Sequence, residues 1–210
     1  MGKIINEKAG IRVNGHVKIS DPDTNEVFID KHNAINFENF SIALASSISN
    51  KGQNFIYEMD FGNGGSSVDT TGIITYLPTN TIGQNANLYN PTYSKIVDNT
   101  AIANPDPLNN SMVVSHIPGT VYTDILVSCL LSYGEPSGQA AFDNAQSKSL
   151  YVFDELGLRG RSSDGTSGIL STGLLLSHCI FHPVQKALNR QLRIDYSVRI
   201  QTLSNLSVNG

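Results

Sequence analysis

From Leu192 to Leu203 apolar and polar residues alternate almost without a break. Leu192, Ile194, Tyr196, Val198 and Ile200 fall on one side, and Arg193, Asp195, Ser197 and Arg199 on the other. A repeat of two is the repeat of a β-strand. A strand apolar on one face and charged on the other lies half-buried, with its far side in water. A second run, from Val121 towards Tyr133, sets Val121, Thr123, Ile125, Val127, Cys129 and Leu131 on one face in the same way. Two such strands in one chain favour an antiparallel sheet with a core on one side.

The rest of the chain supplies partners for that sheet. His16–Ser20 and Glu26–Asp30 flank Asp21-Pro22-Asp23-Thr24-Asn25, a cluster of turn residues, and read as a hairpin. Phe55–Phe61, Leu150–Phe153 and Leu174–Phe181 read as further strands, with a Gly/Ser-rich turn at 160–168. One segment departs from the pattern. Between Asn36 and Ser49, Phe37, Phe40, Leu44 and Ile48 recur at helical spacing, with Asn36 as N-cap and Asn50-Lys51-Gly52 at the C-terminus. Residues 62–120 carry five of the eight prolines and no sustained period, so they read as an extended insertion or arm with short strands near Ile73–Leu77 and Met112–His116. The expectation is a mainly β chain, an antiparallel β-sandwich or jelly roll. Residues 1–210 form a single domain, with one covering helix at about 36–49.

Composition narrows the function. Charged residues make up 15% of the 210 positions, against about a quarter in ordinary domains. Asn, Ser, Thr and Gly fill the difference, and a surface of this kind is covered by a partner at little cost in desolvated charge. The net charge of −4 and scattered basic residues argue against nucleic acid. The longest apolar runs fall short of the roughly 20 residues of a membrane helix. Met1–Lys8 lacks a signal-peptide apolar region, and Asn6 stands where a myristoylation signal wants Ser or Thr, so a cytosol-like compartment is expected. Cys129 and Cys179 lie in apolar segments and read as buried thiols rather than a disulfide.

Each candidate for chemistry has a plainer reading. Asp21, Asp23 and Asn25 match the first positions of a calcium loop, but Glu26 and His32 stand where Gly and Glu are needed. Asp60-Phe61-Gly62 lacks the companion motifs of a kinase. The glycines after it lack the Lys of a phosphate loop and read as a flexible loop. On a strand His178 and His182 would share a face about 13 Å apart, too far for one metal ion. Asp154 and Glu155, adjacent on a strand, would face opposite sides and form no acid–base pair by themselves. No residue is thus assigned a catalytic, cofactor-binding or metal role, and a non-enzymatic protein without cofactor is expected.

Two stretches resemble a known group. Gly15–Val27, followed by Asp30-Lys31-His32-Asn33-Ala34-Ile35 and the helix, resembles the opening of some tailed-bacteriophage virion proteins. Phe153–Leu158, Asp164-Gly165, Phe181–Lys186 and Leu192–Ile200 together resemble a C-terminal pattern of phage collar, neck and fibre-associated proteins. The resemblance implies a multi-copy structural component of a virion, at the head–tail junction, tail or baseplate, built in the host cytoplasm. Its partners would be copies of itself and other virion proteins, with no nucleic acid and no membrane, in a ring or trimer. A capsid decoration protein and a carbohydrate-binding β-sandwich module are the alternatives; the lack of Trp and the scattered Tyr residues weigh against the latter. In this frame Glu155, before Gly157, suits a carboxylate that ties a turn by accepting backbone N–H bonds, with Lys186 offsetting its charge.

Overall fold

The computed structural model describes residues 8–52, 54–136, 150–161 and 173–205. The Asp164-Gly165 turn and the Met1–Glu7 segment lie outside the described residues. In chain order the elements are β1 (Lys8–Ser20), β2 (Val27–Ile35), α1 (Phe37–Ser49), β3 (Ile56–Gly62), β4 (Ser66–Val68), β5 (Ile74–Tyr76), β6 (Pro91–Ile96), β7 (Ser111–His116), β8 (Tyr122–Leu131), β9 (Leu150–Gly160), β10 (Leu175–Ala187) and β11 (Leu192–Asn205).

Nine of these strands form one antiparallel sheet, in the order β6-β3-β9-β10-β2-β1-β11-β8-β7. The sheet curls at β2. Val27 to Asn33 pair with β1, whereas Ala34 and Ile35 pair with His178 and Ser177 of β10. The two halves share one core, a β-sandwich-like arrangement. Val17 and Ile19 of β1, Val127, Cys129 and Leu131 of β8, and Leu192, Ile194, Tyr196 and Val198 of β11 meet Met59, Phe61, Phe153, Leu156 and Phe181 from the other half. The alternation in Leu192–Leu203 is thus the inner face of a strand. Val121 ends up exposed, because the core stops short of that end of the sheet.

The hairpin closes as its turn residues dictate. Asp21 Oδ1 accepts the Asp23 and Thr24 amides at 2.8 and 3.2 Å, Asn25 takes the left-handed conformation, and Asp21 Oδ2 meets Arg190 at 2.7 Å.

The helix is capped as its sequence suggests: the Asn39 amide donates to Asn36 Oδ1 at 3.1 Å, and Asn50 ends the helix in the left-handed conformation. The buried face differs from the expected stripe. Asn36, Asn39, Phe40 and Ala43 are buried, while Phe37 and Ile48 are exposed. Asn39 sets the rotation, since its Nδ2 donates to the Leu175 and Gln84 carbonyls at 2.9 and 3.2 Å and draws its own side of the helix onto β10. Asn36 Nδ2 also donates to the Gly83 carbonyl at 3.0 Å. Asn36→Ala is expected to destabilise the fold by about 1–2 kcal/mol, measured by urea titration, since both cap and tether are lost.

Of residues 62–120, β6 and β7 form the two edges of the sheet, β4 and β5 pair with one another, and the segment from Asn63 to Asn90 is tied across the outer face of β9 and β10. That cover explains why Leu175 to Phe181 is buried without alternation: one face meets the core and the other meets Ala86 and Leu88 or the polar groups beside them.

Candidate functional site

The residues that carry chemistry in the sequence converge on the outer face of β3, β9 and β10, beneath the 63–90 segment. Glu155 is fully buried. The Gly64 and Asn90 amides donate to its Oε1 at 3.1 and 2.8 Å, and the Tyr89 amide and His178 Nε2 reach its Oε2, each at 2.9 Å. The Asn80 amide donates to His178 Nδ1 at 2.8 Å. A backbone N–H can only donate, so Nδ1 is the bare nitrogen and the ring hydrogen sits on Nε2, pointing at Glu155. The contact is therefore a neutral imidazole donating to a carboxylate. Burial raises the Glu155 pKa, but the His178 bond and the three amides outweigh it and hold the carboxyl below its ordinary value of 4.5.

Asp154 takes the next two amides. Gly65 N donates to Oδ1 at 3.0 Å and Ser66 N to Oδ2 at 2.7 Å, with the Ser66 hydroxyl on the same oxygen. Adjacent carboxylates thus serve one segment, against the expectation of opposite faces. The cause is a bulge: β10 advances from Ile180 to Val184 while β9 passes only from Glu155 to Phe153, which breaks the alternation at Asp154. The glycines at 62–65 provide close approach rather than a loose loop. A Cβ on Gly64 would sit 2.7 Å from the Asn90 nitrogen, and one on Gly62 2.5 Å from Glu155 Oε1.

The third element is Asp60, bound to Arg159 Nε at 2.5 Å with both side chains buried. Arg159 also donates to the Gly173 carbonyl at 2.8 Å and to Asn87 Oδ1. Burial raises the Asp60 pKa, although Arg159 works to lower it. Asp60 Oδ1 has no hydrogen-bond partner among the described residues.

The other singled-out residues lie apart. Lys186 does not meet Glu155. It is fully buried near Lys95 and Glu135, donating to the Ala187 carbonyl at 2.9 Å, and burial brings its pKa down to about 8. Lys95 in turn bonds Glu135 and, at 2.5 Å, the Leu130 carbonyl. His182 is exposed, with Nδ1 3.1 Å from the Tyr76 hydroxyl, while His178 is sealed against Glu155. Cys129 and Cys179 are free and buried, their thiols pushed up to about 12 and about 11 by desolvation.

The chain matches no protein-family model, no curated protein and no solved structure. The Glu155–His178 pair offers no open position to a substrate, since the two side chains bond one another and the amides of the segment above occupy their remaining acceptor positions. Its effect is to fix that segment onto the sheet.

Several exposed side chains are large and apolar. Ile82, Ile102 and Leu108 stand almost fully in solvent on loops, with Phe37 and Ile48 on α1 and Val113 and Val114 on β7. An apolar groove of about 230 Å³ runs between α1 and the inner face of β7 and β8, lined by Phe40, Leu44, Phe55, Met112, Val114 and Ile125. A larger cleft of about 520 Å³ lies between β2, β5 and β10, with Phe28, Tyr76, Lys31 and His182 in its walls. No helix among the described residues is long and apolar enough to cross a membrane.

The cluster was partly visible in sequence. A histidine inside the apolar run Leu174–Phe181, and an arginine directly after Leu156-Gly157-Leu158, are ionisable groups where a buried strand should carry none. Such residues require partners, although their spacing does not say which.

Proposed function

We propose that this protein is a non-enzymatic structural component of a tailed-phage virion that assembles as a homo-oligomer, at the head–tail junction, the tail or the baseplate. The observation that carries the assembly part is that large exposed apolar side chains gather into clefts on a sparsely charged fold. Phe37 and Ile82 share one cleft and Phe55 and Val114 share another, and apolar surface that is contiguous marks contact regions. The locked 63–90 segment supports the same reading, since a building block needs a fixed shape more than a mobile loop. The virion setting rests on the resemblance of Gly15–Val27 with Asp30–Ile35 and the helix, and of Phe153–Leu158, Asp164-Gly165, Phe181–Lys186 and Leu192–Ile200, to phage proteins.

The test is native mass spectrometry of the purified chain. A multiple of the 22.7 kDa protomer mass is expected, and a protein that stays monomeric at high concentration would overturn the assembly reading.

A second reading, a carbohydrate-binding module, draws on the cleft that joins Phe28, Tyr76 and His182. Its test is a glycan array, on which Tyr76→Ala should abolish any signal.

A further inference from the structure

We propose that β7 is the seat of a two-fold contact between copies of this chain, in which the β7 strands of two protomers pair antiparallel and join their sheets. The proposal rests on the assembly reading above and specifies the surface that serves it.

The two edges of the nine-stranded sheet are built differently. β6 opens with Pro91, which has no N–H to offer, and buries Lys95 and Ile96. Proline and inward lysine are the usual means by which an edge is kept from pairing. β7, Ser111-Met112-Val113-Val114-Ser115-His116, has no proline, no bulge in its pairing with β8, and no Asp, Glu, Lys or Arg. Among the described residues only β8 pairs with it, so one side of its backbone ladder is open. Val113 and Val114 are 59% and 69% exposed.

The order of side chains points to an identical copy. About Val113 the strand reads Ser, apolar, Val, apolar, Ser in both directions. A two-fold axis through Val113 therefore sets Val113 against its own copy, Met112 against Val114, and Ser111 against Ser115. An unrelated strand could satisfy the backbone, but only this strand returns the same order. Charge agrees. β7 carries no charged pair to oppose across the axis, and the charges in register with it on β8 and β11 are paired among themselves, Asp124 with Arg199 and Asp195 with Arg193.

The geometry extends the contact beyond the strand. Met112 and Val114 pair with Val127 and Ile125 on the inner face, so they border the apolar groove; Val113 pairs with Leu126 on the outer face. Joining two copies places their grooves end to end. Strand edges about 20 Å long cover only a few hundred Å², below the roughly 800 Å² per partner of a standard interface. The contact therefore also takes in Phe55 and the Ile117–Val121 tip, all exposed except the half-covered Thr120.

The experiment is cysteine cross-linking. In the paired strands the two Val113 Cα atoms lie about 4.5–5.5 Å apart, inside the span a disulfide bridges. Val113→Cys should give a covalent dimer under mild oxidation, at least about tenfold faster than the exposed helix control Ser41→Cys, because the pair is held at high effective concentration. Wild type, with both native thiols buried, should give none. Val113→Lys should lower the native mass while the folded chain keeps the wild-type circular-dichroism spectrum. If Val113→Cys cross-links no faster than the control while the wild type is multimeric, or if the assembly holds an odd number of copies, the β7 contact is wrong and the assembly reading stands. A wild type that is monomeric throughout overturns both.

Discussion

Replacing Glu155 by glutamine is expected to lower the melting temperature by roughly 10 °C. Each carboxylate oxygen accepts two donors: the Gly64 and Asn90 amides on one, the Tyr89 amide and His178 Nε2 on the other. Glutamine keeps one oxygen and turns an NH₂ towards the other two donors, which orphans them in a buried site. At about 1–3 kcal/mol per buried unpaired group, the loss is on the order of 3 kcal/mol, and in a domain of this size each kcal/mol moves the midpoint by about 2–4 °C. The pH dependence carries its own signature. The folded carboxyl titrates below its ordinary value of 4.5, so its contribution is complete above pH 4.5 and is lost as pH falls through the lower folded value. The difference between wild type and Glu155→Gln, followed by thermal melts, should therefore close in acid. A constant difference down to pH 2 would show that Glu155 acts by shape alone. Proteolysis of Glu155→Gln should begin within 63–90, the segment the carboxylate ties down.

The second large effect is at Asp60 and Arg159. Removing one partner, in Asp60→Ala, leaves a buried guanidinium that, among the described residues, keeps only the Gly173 carbonyl and Asn87 as acceptors. The expected loss is about 3–5 kcal/mol in urea titration. Replacing both, in Asp60→Leu with Arg159→Met, should recover most of that loss, because neither charge is then desolvated. A double-mutant cycle in which the two losses simply add would mean that the pair is not coupled. The sign at Asp60 is opposite to that at Glu155. Its folded pKa is raised above 3.8, so its contribution is greatest below that value and is lost as pH rises through the folded one.

These two sites mark where the sequence stops being informative. Local features were legible. The period of two located β8 and β11, the turn residues located the hairpin at Asp21–Asn25, and the Asn36 and Asn50 caps bounded α1. In each case the deciding contact lies within a few residues. Asp60 and Arg159 are separated by 99 positions and Glu155 and Gly64 by 91, and no short-range rule links them. Alternation also misled at Asp154 and Glu155, because the β10 bulge that re-aims them is a property of the partner strand. The exposure of Phe37 and Ile48 had a similar origin: apolar spacing gave a helix, but the Asn39 hydrogen bonds to Leu175 and Gln84 chose which side faces inward.

The pairing of β1 with β11, from Lys8 opposite Asn205 to Ser20 opposite Arg193, has a consequence for synthesis. The first long strand finds its neighbour only when the last one leaves the ribosome. Until then β1 has a single partner in β2, and β8 lacks the strand that joins it to the rest of the sheet. Such long-range closure slows folding and leaves strand edges open to other nascent chains. Where many copies are translated side by side, completing the sheet within one chain competes with pairing between chains, and β11 decides between them.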